Sequence, residues 1–333
     1  MRIYHNTDQL PIFRRAVITI GTFDGVHTGH ARILEQLRQE AIRIDGETVI
    51  ITFYPHPRKI VKGGSEEIRL INTLDEKIQL LSWQGIDHLV IVPFTEAFSQ
   101  MTAEEYITDF LIARFHPHTV IIGYDHRFGK GRLGDYHLLE EYSEKKGFDL
   151  QEIPVHLLNE ISVSSTRIRE AIQQSDIVTA NQLLGYPFFF SGTVVKGDQL
   201  GRTLGYPTAN LQVTNPEKMI PADGIYAVEA ALLPSDATAA GDAASSSLNG
   251  AGSLFDAPRL KGMMSIGIRP TVGGKVRTIE VNLFDFDEDI YGRELRVFVR
   301  KWLRDEVKFD GLEALKIQLG KDREDTLLAL SQA

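Results

Sequence analysis

Short runs of apolar, mostly β-branched residues recur at 16–20, 48–53, 88–92 and 118–123. Between them apolar residues return at helical spacing: Ile33, Leu34, Leu37, Ala41 and Ile44, then 73–84, 103–114 and 135–147. Continuous apolar strands alternating with amphipathic helices predict a parallel sheet with helices on both faces. After about residue 186 the texture changes. Segments 188–196, 225–232, 260–268, 278–284 and 295–302 read as strands with no helix between them. A small antiparallel β-barrel closes such a set. Residues 310–331 return to helical spacing. The boundary falls in "LLGYPFFF" (183–190), giving an α/β domain over 1–185 and a barrel domain over 186–333. Residues 234–258 are low in complexity, dominated by Ala, Ser, Gly and Asp, and read as a flexible surface loop between barrel strands, dispensable for chemistry.

The first apolar run ends in "GTFDGVHTGH" (21–30), and a helix follows. Three glycines, an aspartate and two histidines crowd into that turn. A helix starting near Thr28 aims free N–H groups and its positive dipole end at the turn. Gly29 lets an anion approach the backbone, and the imidazoles of His27 and His30 can donate to phosphate oxygens. The competing reading is a glycine-rich connector with two solvated histidines. In such sheets, ligands bind beyond the carboxyl ends of the strands. "GYDHRFGKGRLGD" (123–135) lies at a second such turn.

"SVSSTRIREAI" (162–172) places Ser164, Ser165 and Thr166 at a helix start. Arg167 and Arg169 fall in its first turn, where the helix dipole disfavours cations. A bound polyphosphate removes that conflict. Plain N-caps and harmlessly extended arginines are the alternative.

In the second half, "KGDQLGRTLGYPTANL" (196–211) carries Gly197, Gly201 and Gly205 ahead of Pro207-Thr208-Ala209-Asn210. It is no Walker A loop. In an extended chain Thr208 and Asn210 share a side, and a hydroxyl and an amide oxygen are hard ligands suited to Mg²⁺. A glycine-rich hairpin before a polar strand is the bland alternative. "TIEVNLFDF" alternates, with Ile279, Val281 and Leu283 on one side and Glu280, Asn282 and Phe284 on the other. Glu280 is then either a general base lining a pocket or a solvated outward glutamate.

Composition narrows the classes. The chain has 333 residues, 43% of them hydrophobic and 24% charged, enough apolar residues for two ordinary cores. The net charge of −9 comes without a basic cluster, which argues against a nucleic-acid partner. There is no cysteine, so disulfides and thiolate metal sites are excluded and a reducing compartment fits. No apolar run has the length of a signal peptide or a membrane span. A soluble cytoplasmic protein acting on small molecules is expected.

"GTFDGVHTGH" and "SSTRIR" together resemble the nucleotidyltransferase superfamily with H-x-G-H and S-S-T-x-x-R signatures. "TFYPHP" (52–57) and "GYDHRFG" (123–129) narrow the resemblance to the FMN adenylyltransferase part of bifunctional riboflavin kinase/FAD synthetases. "GDQLGRTLGYPTANL", "DGIYAV", "SIGIRPTVGG", "IEVNLFDFDEDIYGREL" and "LRDEVKF" resemble riboflavin kinase in order and spacing. The resemblance covers roughly residues 12–331, with 234–258 as its main insertion.

It implies a Rossmann-like adenylyltransferase domain that uses ATP to convert FMN to FAD, and a barrel that phosphorylates riboflavin with MgATP. It implies an ATP site of Gly21, Phe23, Asp24, His27, Gly29, His30, Ser164, Thr166 and Arg169. Asp125 and Phe128 would hold the flavin, although His126 stands where the family usually has Phe. In the barrel, Gly197, Gly201, Arg202, Gly205, Pro207, Thr208, Asn210 and Arg304 would serve ATP and flavin. Thr208 and Asn210 would attend Mg²⁺, and Glu280 would activate the ribityl hydroxyl. The alternatives are a riboflavin kinase with a degenerate adenylyltransferase domain, and a flavin-binding sensor without turnover.

Overall fold

A computed structural model describes residues 1–61, 68–123, 126–153, 163–197, 200–234, 255, 257–271 and 274–332. They pack as two units, one covering Met1–Ser164 and the other running from Ser165 to the C-terminal helix.

The first unit is built on a six-stranded parallel sheet. Its strands are β1 (Arg2–Tyr4), β2 (Val17–Ile20), β3 (Thr48–Tyr54), β4 (His88–Pro93), β5 (Thr119–Gly123) and β6 (Asp149–Ile153). Their order is β1-β4-β3-β2-β5-β6. The four central strands are buried on both faces, as covered parallel strands must be. One face, with Ile18, Ile20, Val49, Ile51, Val90 and Val120, packs against Tyr106, Ile107, Phe110 and Leu111 of a helix over 103–115, whose central turns Tyr106–Ile112 are π-type. Helix α1 (Thr28–Ile44) also packs on the sheet and buries Leu34, Leu37 and Ala41.

The order of the strands fixes where a ligand can enter. The chain passes from β2 outward to β3 on one side and returns to β5 on the other. The sheet therefore reverses its winding between β2 and β5, which pair through Val17↔Thr119 and Ile18↔Val120. In open α/β sheets that switch point leaves a crevice beyond the strand ends. The 21–27 turn follows β2 directly into it.

The second unit begins with α-helices Ser165–Gln173 and Ile177–Leu184 and continues into a closed barrel. The barrel strands are β7 (Phe189–Val195), β8 (Ala209–Gln212), β9 (Gly224–Leu232), β10 (Leu260–Thr271), β11 (Gly274–Leu283) and β12 (Glu294–Arg304), ordered β10-β11-β8-β7-β12-β9. Every pair is antiparallel. Phe188, Phe189 and Phe190 are all fully buried, so both sides of this stretch are covered. Asn181 ties the second helix to the barrel. Its amide donates to the Val299 carbonyl at 2.9 Å and its oxygen accepts from the Phe188 N–H at 2.7 Å. A long helix, Leu312–Ser331, ends the fold.

Candidate active sites

In the first unit the turn after β2 is bent hard. Phe23 (φ 48°), Gly25 (φ 97°) and Val26 (φ 37°) all occupy the left-handed region. For Phe and Val that is costly, and such strain persists only where the surroundings enforce it. Asp24 is one enforcer. It is buried, and its Oδ1 accepts from the backbone N–H groups of Ile71 and Asn72 at 3.0 and 3.2 Å. Phe23 is another, buried with its ring 4.8 Å from that of His30. A Cβ on Gly21 would press on the Phe23 ring at 3.1 Å.

His27 is the N-cap of α1. Its Nδ1 accepts from the His30 N–H at 3.3 Å, which leaves the proton of the neutral ring on Nε2. The two imidazoles stack with centroids 3.7 Å apart and planes 18° apart. Gly29 makes this stack possible, because a Cβ there would meet the His27 ring at 3.2 Å. The space over Gly29 is thus filled by imidazole. His30 Nδ1 is buried without a hydrogen-bond partner.

Burial pulls His27 down to about 4, against an upward pull from Asp24. Burial first, then the neighbouring His27 and Lys77, hold His30 well below its ordinary value. Lys77 reaches the same turn from the helix Leu74–Trp83. Only 6% exposed, it donates from Nζ to the Thr22 carbonyl at 2.6 Å, and burial draws it down to about 8. Lys77 went unnoticed in the sequence. Its place on a stripe with the buried Leu80 and Leu81 is the signal that could have found it.

The low value of His27 has a consequence for stability. Between about pH 6.5 and 4 the unfolded chain binds a proton at this position that the folded chain refuses. The first unit should therefore lose stability as pH falls through that window, by a few kcal/mol at most. Urea midpoints at pH 7 and 5, read from Trp83 fluorescence in a Trp302→Phe background, should show this loss. His27→Gln should reduce it, leaving the part that His30 contributes.

The other residues singled out for this chemistry are distributed as follows. Phe128 is buried and stacks on Tyr106 at 5.0 Å and 27°. Its backbone pairs with Gly134, where a Cβ would strike the Phe128 ring. His126 lies with its ring centroid 5.8 Å from that of Phe128. Asp125 lies outside the described residues. Ser164 is exposed just before the helix Ser165–Gln173, on which Thr166 is exposed and Arg169 half-buried; that helix packs within the second unit.

In the barrel, register does the positioning. Glu280 of β11 pairs with Asn210 of β8 on one side and Ser265 of β10 on the other. Thr208 donates from Oγ1 to Glu280 Oε2 at 3.2 Å, and Arg269 meets Oε1 at 2.5 Å. Asn282, next on the same side, is buried and donates to the Pro207 carbonyl at 2.7 Å. The Pro207–Asn210 segment is thereby fixed against β11. Gly197 is required beneath it, since a Cβ would collide with the Asn210 amide. Gly201 is likewise pressed against the Tyr206 carbonyl, and Gly205 (φ 83°) makes the turn. An open cleft adjoins, walled by Arg202, Pro207, Thr208, Asp289 and Tyr291 and, from β11, by Val281 and Leu283.

Arg304 is the last residue of β12. It grips buried Asp322 of the last helix through two bonds of 2.8 and 2.6 Å. Two groups beside Glu280 lie inside the riboflavin kinase motifs SIGIRPTVGG and LRDEVKF without being marked there as site residues. One is Arg269. The other is Glu306, whose carboxylate occupies the space a Cβ would need at Gly267. Burial, and after it Asp223, push Glu306 upward; Glu280 adds to the same effect.

The chain matches the family model described as FAD synthetase over residues 10–167 and the one described as riboflavin kinase over 184–330. It is 35% identical to the bifunctional riboflavin kinase/FMN adenylyltransferase of Escherichia coli K12 over 97% of its own length and 95% of that protein's. The chain belongs to the bifunctional riboflavin kinase/FMN adenylyltransferase family. Relatives of the same name in Listeria monocytogenes and Haemophilus influenzae are 34% and 33% identical, covering 93% and 97% of this chain and 91% and 96% of theirs. A solved structure described as a macrolide-efflux protein from Streptococcus pneumoniae superposes with a TM-score of 0.80 at 28% identity, covering 97% of both chains. Among the described residues no helix is long and apolar enough to cross a membrane. As a member of this family the protein is a riboflavin kinase and an FMN adenylyltransferase. Both parts are present, which favours two activities over a kinase with a degenerate partner domain.

Proposed function

We propose that Glu280 is the general base of the kinase and that the His27–His30 turn receives the ATP phosphates of the adenylyltransferase. In the kinase, Glu280 takes the proton of the ribityl 5′-hydroxyl as that oxygen attacks the γ-phosphorus of ATP, and ADP leaves. Thr208 and Arg269 hold the carboxylate in place for this step. In the adenylyltransferase, a phosphate oxygen of FMN attacks the α-phosphorus, and pyrophosphate leaves. No protein nucleophile is needed, so positioning and charge stabilisation are the protein's main contributions. His27 offers its Nε2–H at the positive dipole end of α1. Ser164, Thr166, Arg169, Asp125 and Phe128 complete this reading by resemblance to the family.

The residues around Glu280 fit Mg²⁺. The Thr208 hydroxyl and Asn210 amide are hard oxygen donors flanking a carboxylate, and Mg²⁺ takes few protein ligands and keeps water and phosphate for the rest. Bound there with ATP, it would neutralise charge on the transferring phosphoryl group. A cytoplasmic location belongs to the same proposal, since a cysteine-free chain suits a reducing compartment.

The observation that carries this reading is the convergence of Thr208 and Arg269 on one carboxylate, with Asn210 opposite it across the β8–β11 pair. Incubating the purified protein with riboflavin, ATP and Mg²⁺ and separating the flavins should show FMN first and FAD later. Neither product appearing would overturn it.

A further inference from the structure

We propose that Lys77 is a phosphate ligand of the adenylyltransferase site, delivered to the His27–His30 turn from the neighbouring helix. The inference rests on the reading that this turn holds the ATP phosphates. It adds a cation that neither signature motif contains.

A buried ammonium is costly unless it is paired. Among the described residues, the bond to the Thr22 carbonyl is the one hydrogen bond Lys77 makes, and it forms no ion pair. Two of its three N–H donors are therefore unspent inside the fold. A structural lysine would close directly on Asp24. Here Asp24 attracts Lys77 electrostatically, yet its Oδ1 is used on the Ile71 and Asn72 N–H groups. A second orphan lies in the same place: His30 Nδ1 is buried without a partner, and His30 feels Lys77 as a like charge.

Three groups able to carry positive charge thus share one turn at a helix N-terminus, each held toward its neutral form by burial. Such an assembly is complementary to a polyanion. A triphosphate would satisfy the unspent donors and favour the charged forms. The fold already maintains the lysine there at its own expense. The Thr73 capping box starts its helix, and Glu76, the adjacent residue, is bonded back to the Thr73 N–H at 3.0 Å. The titratable groups coupled to Nζ are Asp24 and His30, both of the turn.

The test uses the full chain with Lys77→Met and Lys77→Arg. Lys77→Met should reduce kcat/KM for ATP in FMN adenylylation by about a hundredfold or more, as loss of one preorganised donor does. Lys77→Arg should recover most of it, and riboflavin phosphorylation should be unchanged in both. A second readout is proton uptake on binding ATP at pH 8, from the dependence of calorimetric enthalpy on buffer ionisation. Wild type should take up more protons than either variant, because the phosphates recharge a half-neutral lysine that Met and Arg do not replace. The kinase site contributes equally to all three and cancels in the difference. Full FAD formation by a folded Lys77→Met overturns the proposal. If Lys77→Met does not fold, Lys77→Arg decides: proton uptake equal to wild type overturns it, and reduced uptake supports it. His30→Ala separates the two levels. Normal FAD synthesis by His30→Ala would remove the underlying reading, whereas normal synthesis by Lys77→Met alone would remove only this ligand.

Discussion

His30→Ala should stop FAD formation while FMN continues to accumulate from riboflavin and ATP. The expected loss in adenylylation is about 10²–10³-fold, the usual cost of removing one donor to charge developing in a transition state. The structure makes this residue hard to replace. Its ring stacks on His27 at 3.7 Å and lies against Phe23, so its position is set from two sides. Its backbone N–H also fixes the His27 ring through Nδ1. Alanine keeps that N–H and the helix start, so the measured loss reports the imidazole rather than collapse of α1. Chromatography of the flavins reads both activities in one sample. Loss of FMN as well, in a folded protein, would contradict the separation of the two chemistries.

The opposite result is expected at Glu280. Glu280→Ala should lower riboflavin phosphorylation by about 10²–10⁴-fold, the range of general base catalysis. FAD should still form when FMN is supplied. Alanine also leaves Arg269 and Thr208 without the carboxylate they converge on. Glu280→Gln is the sharper variant, since it keeps the size of the side chain and an oxygen for Thr208 while removing the base. Kinase activity near wild type in Glu280→Gln would show that the glutamate only holds the PTAN segment. FMN production and FMN consumption, assayed separately, distinguish these outcomes.

The central strands of the sheet and five of the six barrel strands are legible because buried strands are written as continuous apolar or β-branched runs; the short β8, Ala209–Gln212, is not. Neither are the edge strands β1 and β6. "RIY" and "DLQEI" are half-exposed and mostly polar, so nothing in their pattern separates them from loop. The helix Ile177–Leu184 was also passed over, since its apolar residues run straight into the barrel's first strand. At the sites, residue types with a local pattern were found and partnerships across the chain were not. Asp24 stood out in its motif, but its partners are the N–H groups of Ile71 and Asn72 on a distant segment. Arg269 meets Glu280 only because β10 and β11 pair in one register. Arg304 stood in a recognisable motif, whereas the carboxylate it grips lies eighteen residues on, on the last helix.

The low-complexity stretch also looks different once the barrel is closed. β9 and β10 are adjacent antiparallel partners, with Ala230 opposite Leu260. Joining two such strands needs only a short hairpin turn. Phe255 of the connection packs against Tyr186 and Phe298 of β12, but strand pairing asks for no longer a link, and lengthening a loop costs little, about 0.6 kcal/mol for each doubling. The ladder between these strands would therefore outlive a cut in the connection. For protein engineering, this is the natural place to open the chain: new termini, an affinity tag or a fluorescent domain inserted there would leave the ring of strands that presents Glu280 hydrogen-bonded all the way round.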